Sequence, residues 1–398
     1  MPAGRLRRAA TATTSMRVLH FYKTYYPDTW GGIEQVIRQM CVGTGRLGVT
    51  NEVLTLTRDS GPAQIEFEGH TVHRVRMDFE IASTGFSFAA IRALARLARK
   101  ADVIHYHFPW PFMDIAHFMA RIDKPSVVTY HSDIVRQKNL LRVYSPLKRR
   151  FLRSVDTIIA TSPNYLASSP VLKRFEHKTR TITYGLDKSI YPQPSAAVTD
   201  KWRERCGERF FLFIGVLRYY KGLHILLDAM ANIDYPVVIV GAGPIEQELK
   251  EHAARLGLTH VTFVGAVEEE DKIALLRLCY AMVFPSHLRS EAFGISLLEG
   301  AMFGKPMISS EIGTGTTYIN IDNETGLVVP PSDPQAFSGA MRLLWEQPER
   351  AAEMGRRAEA RYWELFTAER MAENYHALYR ELSARHGGKR AAPRDRAV

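Results

Sequence analysis

Phe284-Pro285-Ser286-His287-Leu288-Arg289-Ser290-Glu291-Ala292-Phe293-Gly294-Ile295-Ser296-Leu297-Leu298-Glu299-Gly300-Ala301-Met302-Phe303-Gly304-Lys305-Pro306 reads as the end of a buried strand, a loop and a helix. The strand is Ala281 to Phe284. The helix begins near Phe293-Gly294 and stops at Gly304, because Gly followed by Lys-Pro cannot continue it. Glu291 stands in the loop and Glu299 inside the helix, so the helix N-terminus lies between two carboxylates. Unpaired backbone N–H groups at a helix start bind anions. A ligand with a phosphate at that N-terminus and hydroxyl-bearing groups near Glu291 and Glu299 fits, and a nucleotide-sugar has those parts in that order. The plainer alternative is a loop acid followed by a surface acid of an ordinary helix.

The chain has 398 residues, too many for one ordinary core, and its length predicts two domains. No apolar run approaches the length of about 18 residues that spans a membrane, and Met1 to Ser15 lack the apolar stretch of a secretory signal. Cys41, Cys206 and Cys279 are odd in number and far apart, which argues against a disulfide framework and a zinc site and for a reducing cytoplasm. The net charge of +10 is lopsided: residues 1–200 hold 28 Lys+Arg against 16 Asp+Glu, and residues 201–398 hold 24 against 26. Arg136 to Arg153 concentrates seven positive residues, no acid and several apolar side chains. Such a segment suits an anionic lipid surface or a pyrophosphate-bearing partner, with a solvated helix face as the alternative. No nucleic-acid recognition motif accompanies it, so nucleic acid is not expected as a partner.

Outward from the opening stretch the chain alternates strands and helices as open parallel sheets do. In the first half Arg17 to Phe21, Asn51 to Thr57, Thr71 to Arg76, Val103 to Tyr106, Ser126 to Tyr130, Asp156 to Thr161 and Thr181 to Tyr184 read as strands. The second half restarts at Phe210 to Gly215 and repeats the pattern through Pro236 to Val240, Val261 to Val264, Met282 to Phe284 and Pro306 to Ser309. The expected organisation is a disordered basic extension (1–15), a first domain (16–190), a Pro/Ser/Ala linker (191–205), a second domain (206–365), a helix near 368–385 that packs back on the first domain, and a disordered tail (386–398). Two Rossmann-like parallel-sheet domains facing across a cleft follow, an α/β fold with ligands outside the carboxyl ends of the strands.

Two further candidates meet objections. Gly241-Ala242-Gly243 follows a strand as a dinucleotide fingerprint does, but Glu246 stands where the third glycine belongs. His105, His107 and His131 end strands of the first half without a defensible metal-ligand spacing, so hydrogen bonding to substrate hydroxyls is the better expectation, with a structural role for His105.

The Glu291-(seven residues)-Glu299 element, with Phe263 to Gly265, Gly241 to Pro244, Gly31-Gly32, His105 to His107, Thr129 to Asp133 and Tyr184 to Asp187, resembles the retaining glycosyltransferases of family GT4, from Met16 to about Leu382. Within it the chain is similar to bacterial enzymes that add mannose or D-rhamnose from GDP-sugars to O-antigen and other polysaccharides. The resemblance implies the GT-B fold, with the donor nucleotide in the second domain and the acceptor in the first. It implies that Glu291 contacts the donor sugar, that Phe293, Gly294 and Ile295 meet diphosphate and sugar, that Glu299 binds ribose, and that Lys221 binds the phosphates. Gly31, Gly32, Gly265 and Leu298 join the donor-binding set, His107 reaches the sugar's C6 hydroxyl, and His131 and Asp133 line the acceptor side. The family arginine's position holds Val216, so either Arg218 reaches the diphosphate from a differently shaped loop or that contact is missing. No Asp-x-Asp is present, so no metal and no cofactor are expected, and the leaving charge falls to Arg218, Lys221 and helix N–H groups. The implied partners are a GDP-sugar, a lipid-linked glycan and the anionic inner face of the cytoplasmic membrane. A UDP-sugar transferase and a GT-B epimerase are the competing activities.

Overall fold

The computed structural model describes residues 15–81, 84–134 and 138–391. Its first domain is built on β1 (Met16–Phe21), β2 (Val49–Thr57), β3 (Gln64–Phe67) and β4 (His70–Arg76), with a separate hairpin of β5 (Phe79–Ile81) and β6 (Thr84–Phe86). It continues through β7 (Val103–Phe108), β8 (Ser126–Tyr130), β9 (Thr157–Ala160) and β10 (Thr179–Thr181). The sheet runs β10-β9-β8-β7-β1-β2-β4-β3, parallel at every pairing except β3 against β4. The second domain has β11 (Phe211–Ile214), β12 (Val237–Val240), β13 (Val261–Gly265), β14 (Ala281–Phe284), β15 (Met307–Ser310) and β16 (Gly326–Val329), ordered β13-β12-β11-β14-β15-β16 and wholly parallel.

Parallel sheets are covered on both faces, so their central strands need apolar residues at every position. Phe211-Leu212-Phe213-Ile214 and Ala281-Met282-Val283-Phe284 meet that demand and are buried throughout. Each such large side chain contributes about 1.5–3 kcal/mol by leaving water. The strand order places one topological switch point in each sheet: β1 lies between β2 and β7, and β11 between β12 and β14. Chain crossovers leave in opposite directions there, which opens a crevice at the strands' carboxyl ends.

The structure departs from the sequence expectations at short elements. The expected linker 191–205 is largely taken up by a helix, Ala196–Cys206, that runs into the second domain and whose N-terminus is capped by Ser195 accepting from the Val198 N–H. The last helix continues to Ala391, so residues 386–391 do not belong to a tail. Strands β3, β5, β6 and β16, of three or four residues each, are too short to announce themselves by periodicity. Residues 1–14 and 392–398, expected to be disordered, lie outside the described residues.

The Ala368–Ala391 helix crosses back onto the first domain. It lies so close to the Gly32–Arg46 helix that a Cβ on Gly43 would sit 2.7 Å from the Ala372 Cβ. Tyr379 and Tyr375 reach under the sheet to His105 Nδ1 (2.7 Å) and Thr129 Oγ1 (2.9 Å), and Arg180 grips Glu381 with two hydrogen bonds. Gly43→Val forces a branched side chain into that contact. We expect a loss of roughly 1–3 kcal/mol, typical of overpacking, seen as a lower midpoint in urea unfolding. An unchanged midpoint would mean that the helix is not held at this crossing.

Candidate active site

The two switch points face one another. Gly31-Gly32 follows β1, while Lys221 and Glu291 follow β11 and β14, and together they line a cleft of about 630 Å³.

Lys221 and Glu291 meet because two loops touch backbone to backbone. Gly222 has φ +71°, the left-handed region that glycine enters at low cost. A Cβ there would land on the Pro285 carbonyl oxygen. The His287 N–H donates to the Tyr220 carbonyl at 3.1 Å across the same seam. Lys221 Nζ then donates to Glu291 Oε2, with Ser286 Oγ 3.5 Å from the same oxygen. Both side chains are about nine-tenths buried. Burial alone would lower the lysine's pKa, but the charge of Glu291 and the hydrogen bond to it outweigh that, and the net shift is upward. The amine therefore stays cationic.

Beside this pair begins the Ile295–Met302 helix, preceded by Gly294 at φ +98°. Glycine offers no side chain to cap the first N–H groups, so they remain open to a ligand. The first domain's Gly32–Arg46 helix likewise starts on a glycine, Gly31. A Cβ on Gly32 would lie 3.5 Å from Ile295 Cγ1, so two helix N-termini converge on one space. Each carries roughly half a positive charge.

Glu299 lies four residues into the Ile295–Met302 helix and is nearly buried. Its Oε1 accepts from Tyr191 Oη at 3.0 Å and from Lys272 Nζ at 2.9 Å, and Gln35 Nε2 donates to the same tyrosine at 3.0 Å. Both contacts fall on one carboxylate oxygen, which leaves Oε2 without a hydrogen-bond partner among the described residues.

Of the residues singled out from the sequence, Gly31, Gly32, His131, Lys221, Glu291, Phe293, Gly294, Ile295 and Glu299 line the cleft. The rest do not. His107 is fully buried between His20 and His131, so it cannot touch a sugar C6 hydroxyl directly. Leu298 faces the core beneath the helix. Gly265 ends the edge strand β13, two strands away from β11. Asp133 is engaged by Tyr130, Ser169 and, across the domains, Arg289 at 3.4 Å, so it holds loops and does not line the cleft. Arg218 is exposed on the loop before Lys221; its charge acts on Lys221 and also on Lys23 of the first domain. Burial and the charge of Arg218 lower the Lys23 pKa, against the opposing pull of Glu34.

Sequence reasoning missed Lys23, Lys272, Tyr184, Tyr191 and Trp30. Trp30 stands at the cleft rim 75% exposed, braced edge-on by Tyr26. Its place directly before Gly31-Gly32 was the available signal.

Among the described residues, the nitrogens of His20, His105 and His107 lie within 4.8 Å of one another, as metal ligands would. Each ring nitrogen is already hydrogen-bonded, to Asn51, Tyr379, Thr129, His131 or a neighbour in the group. These histidines are committed to the fold.

Removing one partner of a buried ion pair leaves an uncompensated charge and costs roughly 3 kcal/mol. Lys221→Met should show a loss of that order in urea unfolding, and Lys221→Met combined with Glu291→Gln should regain most of it. An equal loss in the double variant would contradict the pairing.

The family described as "Glycosyltransferase Family 4" matches residues 30–188, and "Glycosyl transferases group 1" matches residues 197–361. The chain is 65% identical to D-rhamnosyltransferase WbpZ of Pseudomonas aeruginosa, covering 89% of this chain and 93% of that one. It is 52% identical to O-antigen chain mannosyltransferase C of Escherichia coli, covering 92% and 99%. Sucrose-phosphate synthase of Thermosynechococcus elongatus superposes with a TM-score of 0.77 over 93% of this chain and 100% of that one, at 22% identity. The facing sheets, the converging helix starts and these likenesses lead to one conclusion: the chain belongs to the GT4-type glycosyltransferases and has the GT-B fold.

Proposed function

We propose that this glycosyltransferase moves a hexose, mannose or D-rhamnose, from a GDP-sugar to a lipid-linked glycan in O-antigen synthesis, with retention of anomeric configuration and without a metal. The observation that supports a diphosphate-bearing donor most directly is the convergence of two helix N-termini beside the Lys221–Glu291 pair. Anions are stabilised at such termini and by charge-assisted hydrogen bonds. The choice of sugar rests on the two full-length relatives, one named for D-rhamnose and one for mannose.

In this reading the diphosphate lies against the Ile295 end and takes Lys221 as partner, while Glu291 turns to the sugar hydroxyls. Glu299 Oε2 accepts from the ribose. The acceptor hydroxyl attacks C1 on the face from which the diphosphate leaves: the C1–O bond to phosphate breaks, the new C1–O bond forms, and the acceptor's proton passes to a diphosphate oxygen. Lys221 and the helix N–H groups stabilise the departing charge. The exposed face of Trp30 is a stacking surface for an acceptor sugar.

A membrane-bound acceptor suits the helix Lys138–Ser154, where Arg142, Arg149, Arg150 and Arg153 are exposed beside Val143, itself 78% exposed. Arg136 of the same basic run lies outside the described residues. No described helix is long and apolar enough to cross a membrane. Peripheral attachment to the inner face of the cytoplasmic membrane is part of the proposal.

Ligands that bind the native state raise its melting temperature. Without added metal, GDP and GDP-mannose should raise it and UDP, ADP and UDP-glucose should not; a rise with UDP-glucose alone would favour a UDP-sugar donor. Replacing Arg149, Arg150 and Arg153 by Ser should weaken binding to anionic vesicles, by a margin that shrinks at high salt. Unchanged vesicle binding would make the basic helix a solvated face.

A further inference from the structure

Tyr184 at the cleft wall ends a chain of hydrogen bonds that crosses the core of the first domain. The far end is Asn51 on β2. Its Nδ2 donates to the Cys41 carbonyl at 2.9 Å and to Thr44 Oγ1 at 2.9 Å, and that hydroxyl is already donating to the Met40 carbonyl. A carbonyl oxygen can only accept, so the amide's orientation is fixed and its Oδ1 faces His20 Nε2 at 3.3 Å. His20 therefore carries its hydrogen on Nε2. A neutral imidazole has one N–H, which makes His20 Nδ1 an acceptor and His107 Nε2, 3.1 Å away, its donor. The step repeats. His107 Nδ1 accepts from His131 Nε2 at 3.0 Å, and His131 Nδ1 accepts from the Tyr184 hydroxyl.

Neutrality of the rings follows from their surroundings. His20, His107 and His131 are buried and stacked, with centroids 5.4 and 5.2 Å apart, and among the described residues no carboxylate bonds to any of them. Burial holds the pKa of His20 and of His131 down at about 3, and that of His107 well below the ordinary value.

We infer that Asn51, His20 and His107 are positioning residues that fix the hydrogen-bond direction of His131 and Tyr184, so that Tyr184 presents an oxygen lone pair to the cleft and keeps its proton turned inward. The Tyr184 ring packs on Phe293, 4.6 Å between centroids, immediately before the helix start, and the charge of Glu291 reaches it. Tyr184 and Glu291 are then two acceptors on one side of the cleft, a pairing that selects a ligand able to donate from neighbouring hydroxyls. That this ligand is a sugar rests on the transferase reading; the direction of the chain does not.

The test is the set of histidine tautomers in the full-length protein, labelled with ¹⁵N at histidine, free of substrate, and assigned by single His→Gln variants. At neutral pH, His20, His107 and His131 should each show a protonated Nε2 and a bare Nδ1. A proton on Nδ1 of any of the three, or an imidazolium, overturns the inference. Turnover tests the recognition step separately. Tyr184→Phe should raise KM for one sugar substrate roughly threefold to tenfold, the worth of one hydrogen bond, with a smaller change in kcat. His107→Leu should reproduce that rise, whereas His107→Gln, whose amide can accept from His131 and donate to His20, should show a smaller one. Equal rises in the two His107 variants, or no rise in Tyr184→Phe, would sink the recognition step while leaving the tautomer result to stand on its own.

Discussion

The contact between Lys221 and Glu291 depends on the closeness of two backbones. At Gly222 any side chain would collide with the Pro285 carbonyl, so the loops after β11 and β14 can touch only through glycine. That approach buries a cation and an anion together at the floor of the cleft. Taking two charges out of water is expensive, and the pair is tolerable only because each supplies what the other lost. Such a pair is poised for exchange: an incoming anion can replace the carboxylate as the lysine's partner, and the carboxylate is then free to meet a hydroxyl.

The rest of the molecule places complementary groups around that floor. A switch point in each sheet directs a glycine-started helix at the same space, one from each domain. Cross-domain contacts keep the two in register: Gln35 to Tyr191 to Glu299, Asp133 to Arg289, and the last helix packed back over the first domain. Positive potential is gathered where a diphosphate would leave, and hydrogen-bond acceptors where sugar hydroxyls would sit. Preorganised electrostatics of this kind stabilises a departing anion without reorganisation at the moment of reaction.

Much of this was legible in the chain. Long strand–helix alternation named the parallel sheets, and the two glutamates on either side of a helix start both line the cleft, because both signals are local in sequence. The errors have a common cause. Alternation along β7 puts His105 and His107 on one face, but no pattern reveals that Tyr375 and Tyr379 of the last helix cover His105 or that His20 and His131 close around His107, so His107 is expected at the sugar when His131, just past the end of β8, is the one at the cleft. Leu298 was misjudged by one step of the helix, since Glu299 beside it points to the cleft. Lys272 and Tyr191 come from a helix and a linker with no motif of their own; only the folded chain brings them to Glu299. The short strands escaped because each holds only three or four residues at a sheet edge or in a separate hairpin, at the lower limit of the length over which alternation can be read.

The central claim is that leaving diphosphate and arriving hydroxyl share one face of the sugar, served by Lys221 and the Ile295 helix start. Its most direct test is the anomeric configuration of the glycoside that the purified protein makes from GDP-mannose or GDP-D-rhamnose and a lipid-linked glycan, read from the one-bond carbon–proton coupling at C1. A product with the donor's configuration is expected. An inverted product would require attack from the opposite face and would contradict the assignment of these residues.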